Sequence, residues 1–183
     1  MSRMSKLPLY LTASRIFLVL PTALFLYIGN DVGRWLAAIC FIIASITDYY
    51  DGYYARKLNS VTNLGKFFDP VADKILVSSI LILLLQSGKV DPWMVILFVA
   101  RDTIIGGVRA VAAADGIVIA AQSAGKWKAA LQMIAIPMLL LNDLHPNIPN
   151  NKLGYGLLWL SVLLSVKSGI DYCVAYFKGA RMK

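Results

Sequence analysis

The chain has 183 residues, 58% of them apolar, and a mean hydropathy of +0.67, which is more apolar than a soluble domain, where roughly 45–50% is usual. A soluble helical core would carry polar outer faces, and most of the long apolar segments here carry none. The net charge of +8 would suit a nucleic-acid binder, but the cations stand between and at the ends of the apolar spans, where membrane topology accounts for them, so no nucleic-acid partner is expected.

The predicted elements are six membrane helices, at 8–28, 34–55, 68–86, 92–114, 120–142 and 154–177, each near the length of about 20 residues that a bilayer core demands. The first is longer than the apolar region of a signal peptide, roughly 7–15 residues, and contains Arg15, so it reads as a span. Gly29-Asn30-Asp31 ends it, and Asn59 to Asn63, Ser87-Gly88, Asp115-Gly116 and the His145–Asn151 loop end the next four; all are turn-forming sequences. His145, the only histidine, is a loop residue, and Cys40 and Cys173 read as small buried hydrophobes with no metal or disulfide spacing. Lys167 and Asp171 stand at i, i+4 in the last span and are expected to pair inside the bundle. Residues 1–183 form one domain, all-α and polytopic. Arg3, Lys6, Arg56, Lys57, Lys66, Lys126, Lys128, Lys178, Arg181 and Lys183 fall on one side and Arg34, Lys89 and Lys152 on the other, which places both termini in the cytoplasm.

The second and third spans are unusual. Trp35 to Ile46 is apolar and then gives way to DYYDGYYARK from Asp48, while the third opens with Asp69, Asp73 and Lys74 before Ile75 to Leu85 turns apolar. Neither apolar run is long enough to cross alone, so part of each polar stretch lies at membrane depth in the cytoplasmic half, where ionisable residues mark function. Asp48, Asp51, Gly52, Ala55 and Arg56 share one helix face, and Gly65, Asp69 and Asp73 share one face of the next. All ten acidic residues are Asp, so carboxylate chemistry falls to Asp alone. Four carboxylates in a low-dielectric cleft repel one another. Divalent cations resolve this: Asp oxygens are hard ligands suited to Mg²⁺ or Mn²⁺, and a metal pair can clamp the attacking and leaving oxygens of a phosphoryl transfer. Gly52 and Gly65 either open the acidic faces to a base or phosphate or serve close helix packing.

From Asp48 to Asp73 the sequence fits D-x2-D-G-x2-A-R-x8-G-x3-D-x3-D without a gap, and this resembles the signature of the CDP-alcohol phosphotransferases. The resemblance implies six membrane helices, a homodimer and two metal ions, with Asp48, Asp51 and Asp69 as metal ligands and Asp73 as general base that also touches a metal. It implies that Gly52, Arg56 and Gly65 contact the CDP moiety.

The rest of the chain resembles the bacterial phosphatidylglycerophosphate synthase branch: LPLYLTASR (Leu7 to Arg15, with Leu9 where that branch commonly has Asn), ARDTIIGGVR (Ala100 to Arg109) and GKWKAALQ (Gly125 to Gln132). The branch implies CDP-diacylglycerol as donor, sn-glycerol 3-phosphate as acceptor, and a bacterial inner membrane as location. Arg109, Lys126 and Lys128, with Arg101 deeper, are the cations expected to hold the acceptor phosphate; for Lys126 and Lys128, topology and anionic-lipid contact remain an equal alternative. Asp102 is not expected to pair with Arg101, since neighbours on a helix face apart; a partner on another helix is the alternative, and its role stays open. Other acceptors within the family (inositol phosphate, serine, phosphatidylglycerol) and a cation transporter built on the Asp cluster are the competing readings.

Overall fold

The computed structural model describes residues 7–57, 63–116, 123–141 and 149–181. They form six helices: α1 (Leu7–Ile28), α2 (Asp31–Lys57), α3 (Asn63–Gln86), α4 (Pro92–Ala114), α5 (Ser123–Leu140) and α6 (Asn150–Arg181). No strand occurs among the described residues. Each helix coincides with one expected segment. α2, α3 and α6 run further than hydropathy indicates, because their polar ends continue the helix.

Local chemistry sets the ends. Gly29 adopts a left-handed φ of 73° and its N–H closes α1 on Leu26 O at 3.1 Å. The Asn30 side chain then accepts the N–H of Gly33 at 2.6 Å, the bond of a helix N-cap, so α2 starts at Asp31. A side chain on Gly33 would collide with the Phe25 carbonyl, and its absence lets α1 and α2 turn back tightly on each other. α3 ends in a paired motif: Gly88 N–H reaches Leu85 O at 3.0 Å and Lys89 N–H reaches Leu84 O at 2.9 Å, with Gly88 at φ 69°, the Schellman pattern that glycine favours. Pro92 opens α4, where its missing N–H costs nothing. Gly116, at φ 67°, follows the end of α4. Inside α1, Pro21 is followed by the fully buried Thr22, whose hydroxyl donates to Leu18 O at 2.7 Å.

α5 and α6 make the most extensive helix pair, followed by α1 with α2 and α1 with α3. Gly154 of α6 packs where an added Cβ would lie 3.1 Å from Ala135 O and from Leu139 and Met138 side chains; small residues at such crossings let helices approach without a solvent-driven hydrophobic force. The core joins Ala38, Phe41 and Ala44 of α2, Leu76 to Leu84 of α3, Met94 and Phe98 of α4, Ala135 to Leu140 of α5, and Leu158 and Val162 of α6. The outside is equally apolar, with Phe17, Ile43, Ile82, Ile104, Ile134, Leu163 and Phe177 all exposed. Among the described residues one helical stretch, Asn150–Gly179, is long and apolar enough to cross a membrane, and shorter apolar stretches occur at Phe17–Ile28, Lys74–Gln86 and Trp127–Leu140. One expectation fails here. Lys167 and Asp171 both lie exposed on α6, and no ion pair joins them among the described residues, because α6 turns that face away from the bundle.

Candidate active site

The aspartate positions fall on two helices joined by five residues. Asp48, Asp51, Gly52 and Arg56 occupy the C-terminal part of α2, and Gly65, Asp69 and Asp73 the N-terminal part of α3. The helical register that places each set on one face is therefore present in the backbone. The side chains of these seven residues, and that of Lys126 on α5, lie outside the described ones; residues 58–62, expected to turn the chain, lie outside the described residues altogether. Among the described residues no group of three or more metal-ligating side chains forms. The donor set itself suits a hard divalent cation: four carboxylates at i, i+3 on α2 and i, i+4 on α3, with no soft ligand among them.

Three further helices bring polar side chains to the same end. The end of α4 meets the end of α6, where Tyr176 donates to Asp115 at 2.8 Å and the Arg109 guanidinium stands over the Tyr172 ring, 5.3 Å from its centre. Arg109 is exposed, with one face covered by the aromatic ring, an arrangement that suits a planar cation.

Deeper in the bundle lies a polar layer centred on Asp102 of α4. Its carboxylate accepts from Lys128 Nζ of α5 at 2.6 Å and from Arg101 Nη1 at 2.9 Å. The remaining guanidinium donors of Arg101 reach α6: Nε donates to Ser165 O at 2.9 Å and Nη2 to Ser168 Oγ at 2.9 Å. Lys128 also lies over the Phe98 ring at 4.3 Å, and Ser161 donates to its backbone carbonyl at 3.2 Å. The backbone carbonyl of Asp102 accepts from Lys74 Nζ of α3 at 2.7 Å. The side chains of Arg101, Asp102 and Lys128 retain only 15%, 13% and 10% exposure, so these charges are largely desolvated and depend on one another.

The layer corrects one expectation and refines another. Arg101 and Asp102 do pair, although adjacent in sequence, because the arginine side chain is long enough to wrap back while its other donors anchor on α6. Asp102 also pairs across helices, which answers the question its sequence position left open. Of the four cations expected at an acceptor phosphate, Arg101 and Lys128 are engaged with Asp102, Arg109 is exposed beside Tyr172, and the side chain of Lys126 is outside the described ones.

Sequence reasoning gave no role to Lys74, Gly106, Ser161, Ser165 or Ser168. A signal existed for the serines, which recur at i, i+4, i+7 in an otherwise apolar helix and so mark a polar stripe.

Comparison with known proteins bears on this arrangement. The sequence pattern of the CDP-alcohol phosphatidyltransferase family matches residues 5–167. A Bacillus subtilis protein is 43% identical over 181 residues, covering 92% of this chain and 94% of its own length. A Rickettsia typhi protein is 39% identical over 178 residues, covering 95% of this chain and all of its own. Both are CDP-diacylglycerol–glycerol-3-phosphate 3-phosphatidyltransferases by name. An Arabidopsis thaliana protein, 36% identical over 93% of this chain and 79% of its own length, bears the same name with the number 2. With the signature aspartates in helical register on α2 and α3, and a family pattern that spans most of the sequence, the chain belongs to the CDP-alcohol phosphatidyltransferase family.

Proposed function

We propose that the protein transfers the phosphatidyl group of CDP-diacylglycerol to sn-glycerol 3-phosphate, giving phosphatidylglycerophosphate and CMP. The observation that carries this reading is the run from Asp48 to Asp73 on two continuous helices, within a chain whose relatives of 36–43% identity bear the name of that reaction. Family membership leaves the cation-transporter reading without support.

Six helices cross a bacterial inner membrane, with both termini in the cytoplasm and the aspartates in the cytoplasmic half. The apolar outer surface and the excess of Lys and Arg at one end favour this topology. The chain works as a homodimer, as its resemblance to the family implies. The donor's acyl chains stay in lipid while Gly52, Arg56 and Gly65 receive the CDP part. Asp48, Asp51, Asp69 and Asp73 would hold two divalent cations, Mg²⁺ or Mn²⁺, which would supply neutralisation of the donor pyrophosphate. Asp73 accepts the proton of the glycerol 3-phosphate 1-hydroxyl as its oxygen forms a bond to the phosphorus that carries diacylglycerol. The bond from that phosphorus to the CMP oxygen breaks, and CMP leaves. Arg109 and Lys126 hold the acceptor phosphate directly. Arg101 and Lys128 add charge from behind, since two side-chain cations share the single Asp102 carboxylate and Lys74 adds a third charge at its backbone carbonyl. Alignment and neutralisation provide most of the rate.

The test is CMP release by purified protein in detergent with CDP-diacylglycerol, comparing glycerol 3-phosphate, inositol phosphate, inositol, serine and phosphatidylglycerol. Release that requires glycerol 3-phosphate is expected. Release with another acceptor alone would overturn the acceptor assignment and the role of Arg109.

A further inference from the structure

Lys74 follows Asp73 directly on α3, yet its side chain crosses to α4. Its ammonium donates to the Asp102 carbonyl at 2.7 Å and occupies a notch left by Gly106, where a Cβ would stand 2.6 Å from Nζ. The next residue, Gly107, has nothing within 4 Å of its missing Cβ. Of two adjacent glycines, only one is shaped to a neighbour, and that neighbour is a cation beside the catalytic aspartate. The receiving residue is itself fixed, since the Asp102 carboxylate binds Lys128 of α5 and Arg101, which is anchored on α6. Gly169 of α6 makes similar room for Arg101, with the arginine side chain 3.4 Å from its missing Cβ. The α3–α4 contact is the slightest of the substantial helix pairs, so one bond there has leverage on how α3 is rotated.

From this we infer that Lys74 is a positioning residue for the transfer reaction: seated in the Gly106 notch on the Asp102 carbonyl, it fixes the rotation of α3 against the α4–α6 polar layer. Asp69 and Asp73 ride on the same helix, so this bond sets where the α3 carboxylates stand opposite those of α2. The inference rests on the reading that these aspartates hold the divalent cations and accept the proton.

Gly106→Ala is the sharpest probe. Its methyl meets only the far end of a flexible side chain, which can swing away, so the fold is retained while the ammonium loses its seat. The experiment measures CMP release with glycerol 3-phosphate and thermal unfolding in detergent for wild type, Gly106→Ala, Gly107→Ala, Lys74→Ala, the Lys74→Ala/Gly106→Ala double variant and Asp73→Asn, with Mn²⁺ titrated in each. Misplacement by about 1 Å costs on the order of a hundredfold in rate, and a partial rotation is expected to cost about tenfold. Gly106→Ala and Lys74→Ala should lose about that much kcat and need several-fold more Mn²⁺ for half-activation, with KM for glycerol 3-phosphate within about twofold. Gly107→Ala should match wild type. The double variant should match Lys74→Ala, because the methyl acts only through the ammonium and the two effects do not add. Gly106→Ala indistinguishable from Gly107→Ala overturns the inference. So does additivity, loss of turnover without a change in Mn²⁺ demand, or a rise in KM for glycerol 3-phosphate alone, which would make Lys74 a direct ligand of the acceptor. Near-wild-type turnover by Asp73→Asn would instead remove the aspartate reading beneath it.

Discussion

The two ends of the bundle use polar side chains for opposite purposes. At the end away from the aspartates, they complete helix termini. Asn30 caps α2, Tyr155 of α6 donates to Asp91 at the start of α4, and Lys89 donates to Leu139 O near the end of α5 at 2.9 Å. A cavity of about 250 Å³ there is lined by Leu26, Leu83, Leu84 and Leu140 with Arg34 and Lys89 at its polar side. Helix ends carry unsatisfied backbone groups, so these contacts need no function to explain them. Around Asp102 the polar groups sit in mid-helix, where the backbone is already satisfied. Burying charge there is costly unless every group is matched, and the layer is tied to α3 through Lys74, the residue that follows Asp73. At the far end, polar residues close helix termini, whereas under the proposed function the buried layer around Asp102 supports the chemistry.

That contrast can be broken by substitution. The largest effect is expected for Asp73→Asn, which should retain the fold and lower turnover by about a thousandfold or more, the upper part of the range for loss of a general base; circular dichroism and CMP release would show both. Asp102→Ala removes the carboxylate that Arg101 and Lys128 share inside the bundle and should destabilise by about 3–5 kcal/mol, read as a lower unfolding midpoint in detergent. Arg109→Gln removes an exposed guanidinium and should raise KM for glycerol 3-phosphate by about ten- to a hundredfold, the worth of a charge-assisted bond, with little change in stability. At the far end the effects should be small and silent in catalysis. Gly88→Ala forces a left-handed φ on a side chain and should cost about 1 kcal/mol with kcat unchanged. A fall in kcat for Gly88→Ala comparable to that for Arg109→Gln would erase the distinction between the ends.

The helices were legible because apolar length and turn chemistry agree: Gly29, Gly88 and Gly116 all take left-handed conformations where the sequence places breaks. The start of α2 at Asp31 was less so, since it depends on whether Asn30 caps, a side-chain geometry that hydropathy does not encode. The aspartate set was named from spacing, and what the structure adds is the helical backbone of α2 and α3 that carries it. The polar layer was not, because it joins residues far apart in sequence, such as Lys74 with Asp102 and Arg101 with Ser168. Even the Arg101–Asp102 pair eluded the rule that neighbours on a helix diverge, since that rule concerns Cβ directions and not the reach of a long guanidinium. Lys167 and Asp171 erred the other way: correct spacing on the wrong face.

The most direct test of the aspartate mechanism is CMP release in the presence of glycerol 3-phosphate by purified wild-type protein and Asp69→Ala, side by side, with Mn²⁺ raised from zero. Wild type is expected to be silent without metal and to saturate as it is added, while Asp69→Ala stays inactive throughout. Turnover by Asp69→Ala at the metal concentration that half-activates wild type would contradict that mechanism.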